Sequence, residues 1–213
     1  MAGRLVRVEG DAAGWVGRSI ARRLAVAVRE RGEAALAVSG GSTAPPMLAA
    51  LARADLPWNR VSVWQVDERV APDGDPDRNA NHLSGFPGRH HLMPVTSADL
   101  DRASARYAKS LPERFDIVHL GMGPDGHTAS WPPGDPVIDS ERPVALSGEY
   151  QGRVRMTLTP GVVNAARSRL VLITGADKAD AVAAWLRGGD LPIARVRRTG
   201  TVVVLDPPAA GAL

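Results

Sequence analysis

The sequence predicts an α/β protein of the Rossmann-like, three-layer kind, with a mainly parallel sheet flanked by helices. Three observations predict it. Short apolar runs rich in β-branched residues recur along the chain, helical segments lie between them, and 213 residues at 44% hydrophobic and 23% charged are enough for one sizeable core. Strands joined through helices pair in parallel, because only a long crossover returns the chain to the same end of the sheet.

In chain order the strand candidates are "RLVRV" near the start, "AALAVS" at 34–39, "VSVWQVD" at 61–67, "FDIVHLGM" at 115–122, "RLVLITG" at 169–175 and "TVVVLD" at 201–206. Residues 11–31 read as a long amphipathic helix with Asp11 as N-cap, whose carboxylate can take a first-turn N–H. Residues 98–110 and 177–187 read as further helices, and "RMTLTPGVVNAAR" as a short strand entering a helix near Pro160. The stretches 71–88 and 132–152 are dense in turn formers and read as loops. Neither is low-complexity and no repeat is visible, so residues 1–213 are assigned to a single domain.

Composition excludes several function classes. With no cysteine, the chain has no disulfide framework, thiolate metal site or cysteine nucleophile. The N-terminal stretch lacks the apolar core of a signal peptide, and no later run approaches the roughly 18 apolar residues of a membrane span, so a cytoplasmic protein without membrane partner is expected. Net charge is only +3, acidic residues are interspersed, and the one basic cluster, "RVRR" at 195–198, is too short to suggest nucleic acid. Lysine occurs only as Lys109 and Lys178, so the arginine bias reads as compositional.

In open α/β sheets ligands bind beyond the carboxyl ends of the strands, and four of those ends carry unusual residues. After "ALAV", the stretch "SGGSTAPP" offers Gly40 and Gly41 for close backbone approach and hydroxyls from Ser39, Ser42 and Thr43 at a helix start; it reads equally as a phosphate cradle or a ligand-free turn. Asp67, Glu68 and Arg69 follow the next strand, either as a cap or surface ion pair, or as a carboxylate orienting a catalytic group beside an arginine facing an anion. In "LGMGPDGHTASWPPG", Gly121, Gly123 and Gly126 keep the backbone thin, Asp125 can cap the turn, and His127 projects either for chemistry or merely to shape the loop. His119, inside the strand, reads as structural. Lys178 falls in a first helical turn, where a cation opposes the dipole and a bound phosphate would give it a reason.

"SGGST", "DERVAPDGDPDRN", "GMGPDGHTASWPPG", "RMTLTPGVVNAAR" and "GADKADAV", in this order from about 38 to 182, resemble the 6-phosphogluconolactonases. The DGHTAS segment is the most specific; the glycine loop and the glycine–lysine segment are shared with a broader superfamily of sugar-phosphate enzymes. The resemblance implies metal-independent, cofactor-free hydrolysis of 6-phospho-D-glucono-1,5-lactone; a monomer or small homo-oligomer is expected. It makes His127 the general base, Asp67 the DER carboxylate and Asn79 the asparagine that follows. Arg155, Lys178 and the 40–43 loop go to the phosphate, with Arg69, Gly123, Asp125 and Gly126 as further site residues. Trp131 and Pro132 stand where the family usually has leucine and phenylalanine, and Arg78 where it usually has serine, differences that bear on the sugar pocket more than on the chemistry; Trp131 reads either as core or as a stacking platform for the sugar.

Two alternatives stand beside this reading. A glucosamine-6-phosphate deaminase or isomerase shares the glycine loop and a DGH segment, but that family's segment resembles "DGHIAFNEP", and "DGHTASWPP" carries no such glutamate. A non-catalytic sugar-phosphate sensor would keep the cradle without needing both His127 and Asp67, and both are present.

Overall fold

The computed structural model describes residues 3–213. Seven strands, β1 (Arg4–Arg7), β2 (Ala34–Val38), β3 (Val61–Gln65), β5 (Arg89–His91), β6 (Ile117–Leu120), β9 (Ser168–Ile173) and β10 (Thr201–Leu205), form one sheet. All its pairings are parallel, in the order β1-β10-β9-β6-β2-β3-β5. The α/β expectation therefore holds, and its six strand candidates each contribute to this sheet.

Side-chain alternation along these strands builds two cores. On β9, Leu170 and Leu172 join one apolar cluster while Val171 and Ile173 join the other; on β10, Val204 and Val203 divide in the same way. Strands buried on both faces read as continuous apolar runs, and helices must cover each face.

Helix α1 (Ala12–Arg31) covers one face, turning Val16, Ile20 and Leu24 inward at four-residue spacing. Its ends follow from the sequence: Asp11 accepts a 2.7 Å hydrogen bond from the Gly14 N–H, and Gly32 terminates it at φ +79°, its N–H donating to Val28 O. Helix α2 (Ala44–Ala52) packs on α1 so closely that a Cβ at Gly17 would lie 2.6 Å from the Met47 carbonyl oxygen. The opposite face is covered in part by α3 (Leu100–Ser110), α4 (Pro160–Ala165) and α5 (Ala179–Leu186), with Tyr107, Val163, Val182 and Trp185 buried in the second cluster.

A second sheet was not expected. β4 (Asp67–Arg69), β8 (Arg153–Leu158) and β7 (Val144–Tyr150) form a three-stranded antiparallel sheet in the order β4-β8-β7. β7 lies inside the 132–152 stretch read as loop, and the short β5 lies next to the other turn-rich segment. Gly148 and a register shift between Ser147 and Tyr150 interrupt β7, so its sequence lacks the alternation that marks a strand; pairing with β8 supplies the order instead. Among the described residues no helix is long and apolar enough to cross a membrane.

Candidate active site

The order of the parallel sheet reverses direction around β2, whose neighbours are β3 on one side and β6 on the other. Loops leaving neighbouring strands there diverge, and a crevice opens at their carboxyl ends. Ser39, Gly40, Gly41, Ser42, Thr43, Asp67, Arg69, Asn79, Gly123, His127, Arg155 and Lys178 all line one cleft there, so four separate loops and the second sheet converge.

The loop after β2 is tied to the neighbouring strand by a 3.1 Å bond from the Ser39 N–H to His119 O. A side chain at residue 40 is impossible without rearrangement, since a Cβ there would lie 1.9 Å from Asn79 Oδ1. Among the described residues the N–H groups of Gly40, Gly41 and Ser42 donate to no protein acceptor, and the buried Ser39 Oγ and Asn79 Oδ1 have no hydrogen-bond partner. Free backbone donors lining a cleft at the start of α2 suit an anion.

Antiparallel pairing of β4 with β8 sets Arg69 directly opposite Arg155 and Asp67 opposite Thr157. Arg155 is 4% exposed, and burial followed by the charge of Arg69 lowers its pKa from the ordinary arginine value. Like charges held opposite one another are unfavourable, and a bound anion removes that cost. Asp67 is buried and accepts a 2.8 Å hydrogen bond from Ser130 Oγ; burial raises its pKa against the opposing pull of Ser130, Arg69 and Arg155.

The loop after β6 carries the histidine. His127 Nδ1 lies 2.5 Å from Asp125 Oδ1, and Tyr150 Oη lies 2.7 Å from Asp125 Oδ2. Burial works to raise the Asp125 pKa, but the bonds from Tyr150 and His127 leave it below the usual carboxylate value. An ionised Asp125 accepts a hydrogen bond from Nδ1–H, which leaves the Nε2 lone pair of the imidazole available as a base. Gly123 must lack a side chain, because a Cβ would lie 2.0 Å from His127 Cε1.

The carboxylate bonded to the imidazole is thus Asp125, and Asp67, to which the sequence assigned orientation of a catalytic group, is bonded to Ser130 instead. Asp125 and Gly126 stand outside the cleft wall: Gly126, at φ +81°, makes room for Leu191, and its carbonyl accepts from the Ile193 N–H. Lys178 lines the cleft at the N-cap of α5, and its Nζ lies 2.7 Å from Asp177 Oδ2, which offsets the unfavourable helix end. Trp131 is core rather than a stacking platform: it is fully buried, and its Nε1 donates to Leu158 O at 2.8 Å. Arg78 is also buried away from the cleft, paired at 3.1 Å with Glu68, which in turn accepts from the Asn79 and Ala80 N–H groups and so fixes the asparagine loop. His119 is fully buried, as its place in a strand suggested.

Sequence reading missed Tyr150, Ser130 and Thr174, the last of which also lines the cleft. Ser130 was signalled by its place in the DGHTAS segment, whereas Tyr150 sits in the unrecognised β7 and had no local signal. Among the described residues no three His, Cys, Asp or Glu side chains are arranged to hold a metal ion.

A doubly covered α/β sheet with an anion cradle and an oriented imidazole at its switch point defines an enzyme-like, anion-binding class of site. The chain belongs to the family described as glucosamine-6-phosphate isomerases/6-phosphogluconolactonase, which it matches over residues 9–204. A 6-phosphogluconolactonase from Streptomyces coelicolor is 36% identical over 217 residues, covering 86% of this chain and 83% of its own. The 6-phosphogluconolactonase structure from Thermotoga maritima has a TM-score of 0.88 at 24% identity, covering 96% of this chain and 99% of that one. A monomeric glucosamine-6-phosphate deaminase has a TM-score of 0.87 at 19% identity over 99% of this chain and 100% of its own, so the backbone fold is common to both activities.

Proposed function

We propose that this protein is a 6-phosphogluconolactonase, hydrolysing 6-phospho-D-glucono-1,5-lactone to 6-phospho-D-gluconate in the oxidative branch of the pentose phosphate pathway. The observation that carries the reading is His127 held through Nδ1 on Asp125, with no hydrogen bond to Nε2 among the described residues, in the same cleft as Arg69, Arg155, Lys178 and the free N–H groups of the 40–42 loop. Relatives with that name support the lactone over the amino sugar. So does "DGHTASWPP", in which the acidic residue of the deaminase segment is missing and Trp131 is committed to the core.

Arg155, Lys178 and the glycine loop hold the phosphate, and this remote binding places the lactone carbonyl near His127. Nε2 takes a proton from water as its oxygen attacks C1. The negative charge then falls on the carbonyl oxygen within a cleft rich in N–H donors and cations. Collapse of the tetrahedral intermediate breaks the bond from C1 to the ring oxygen, and the imidazolium returns its proton to that oxygen. Atoms and protons balance with water as the only co-substrate. A δ-lactone is an activated ester, so general-base assistance and positioning are sufficient without a covalent nucleophile. With no membrane-spanning helix among the described residues, the cytoplasm suits such a reaction.

The test is turnover. Freshly generated lactone is supplied with excess 6-phosphogluconate dehydrogenase, and NADPH formation is compared with and without the protein after correction for spontaneous hydrolysis. Acceleration supports the assignment; its absence with folded protein, together with release of ammonia from glucosamine-6-phosphate, assigns the deaminase reaction instead.

A further inference from the structure

We infer that Tyr150 is a positioning residue for this site, holding Asp125 so that the His127 imidazole keeps its proton on Nδ1 and its lone pair on Nε2. The inference rests on the general-base reading of His127 and extends it to a residue in a different sheet.

Tyr150 ends β7, and the chain reverses through Gln151 and Gly152 into β8. Both turn residues have positive φ, +51° and +75°, the backbone of a two-residue hairpin whose twist matches the strands. Gln151 is not glycine, so this conformation carries a steric cost. Its side chain offers compensation: Oε1 accepts from Arg155 Nη2 at 3.0 Å, and Nε2 lies 3.4 Å from Tyr150 Oη. The hairpin end is thereby fixed over the site.

From there Tyr150 touches three groups. Its hydroxyl donates to Asp125 Oδ2 at 2.7 Å and lies 3.1 Å from His127 Nδ1. Its ring meets the imidazole edge to face, with centroids 5.2 Å apart, and the Arg155 guanidinium sits 4.9 Å from the ring centroid. The phenol O–H therefore serves Oδ2, while the imidazole Nδ1 and the His127 backbone N–H, 3.2 Å away, serve Oδ1 of the same carboxylate. Were the phenol absent, Oδ2 would lose its donor in this contact and the carboxylate would be held through Oδ1 alone, by the imidazole and the His127 backbone N–H. With Tyr150 in place, Oδ1 is directed at Nδ1, the tautomer is selected, and an imidazolium formed during water attack is held beside its counter-charge. Burial and the Asp125 bond push the Tyr150 hydroxyl up to about 12, so it remains a donor at every pH where the imidazole acts as base.

Tyr150→Phe removes only the hydroxyl and keeps the ring against Arg155. It is expected to lower kcat about tenfold, as for one lost hydrogen bond to a charged group, with KM nearly unchanged. Nitrogen-15 NMR of the imidazole supplies a readout independent of turnover: the native protein should show a single Nδ1–H tautomer for His127, and the variant a mixture. Tyr150→Leu also removes the ring and should raise KM, because Arg155 loses its support. A native His127 spectrum in Tyr150→Phe overturns the inference, as does native kcat in a variant that is fully folded by its thermal transition. If the native enzyme fails to hydrolyse the lactone, the functional assignment falls, and the tautomer comparison alone decides the role of Tyr150.

Discussion

At the scale of single residues, the site is explained by what each side chain can and cannot bond. His127 has a carboxylate on one nitrogen and none on the other, the arrangement that the proposed general-base role requires. His127→Ala is expected to lose about two to four orders of magnitude in kcat while inorganic phosphate, measured by calorimetry, still binds. Near-native turnover would return His127 to a structural role. Asp67 shows what a residue type in a motif leaves undecided. The DER segment placed it at the strand end, but whether it would bond to the histidine or to Ser130 depends on a partner 63 positions away.

At the scale of elements, local chemistry accounts for boundaries and tertiary contact accounts for the exceptions. Helix α1 carries its own start and stop in Asp11 and Gly32, and its inward stripe was readable from four-residue spacing. Its Gly17 had no such explanation until α2 was seen to lie against it. Gly17→Ala, favourable by helix propensity alone, is expected to destabilise the protein by about 1 to 3 kcal/mol, because the new methyl group enters the space of the Met47 carbonyl. A raised melting temperature for that variant would show that α2 yields without cost. The second sheet is the larger exception. Interrupted by Gly148 and a register shift, β7 has too little periodicity to be read alone, yet it delivers Tyr150, while its partner β8 delivers Arg155.

At the scale of the whole molecule, His119 links the fold to pH. It lies in the core with neither ring nitrogen hydrogen-bonded among the described residues, and burial lowers its pKa to about 4. Above its ordinary value of about 6.5 the folded and unfolded chains both hold it neutral. As pH falls from there towards 4, the unfolded chain takes up a proton that the folded chain refuses, so stability declines by roughly 3 kcal/mol across that window and by no more below it. His82 and His91, also lowered by burial, add to the decline in the same direction. His119→Leu should raise the melting temperature at neutral pH by removing two orphaned polar atoms, and should flatten the dependence between pH 6.5 and 4. Unchanged stability and an unchanged slope would show that the pocket around His119 is hydrated.

What the sequence determined by itself is the alternation of strands and helices, the cleft at the strand ends, and the loops that line it. Those features rest on local periods, caps and glycine-bearing turns, which act over a few residues. What only the tertiary structure decided is which groups meet: Asp125 rather than Asp67 on the imidazole, Trp131 in the core, Arg69 opposite Arg155, and Tyr150 over the base. Each of those contacts except the first joins segments far apart in the chain, and the first became visible only through its geometry. The physical reason is that hydrogen bonds and buried charges are settled by distances of a few ångströms, which strand pairing and tertiary packing impose and no local pattern records.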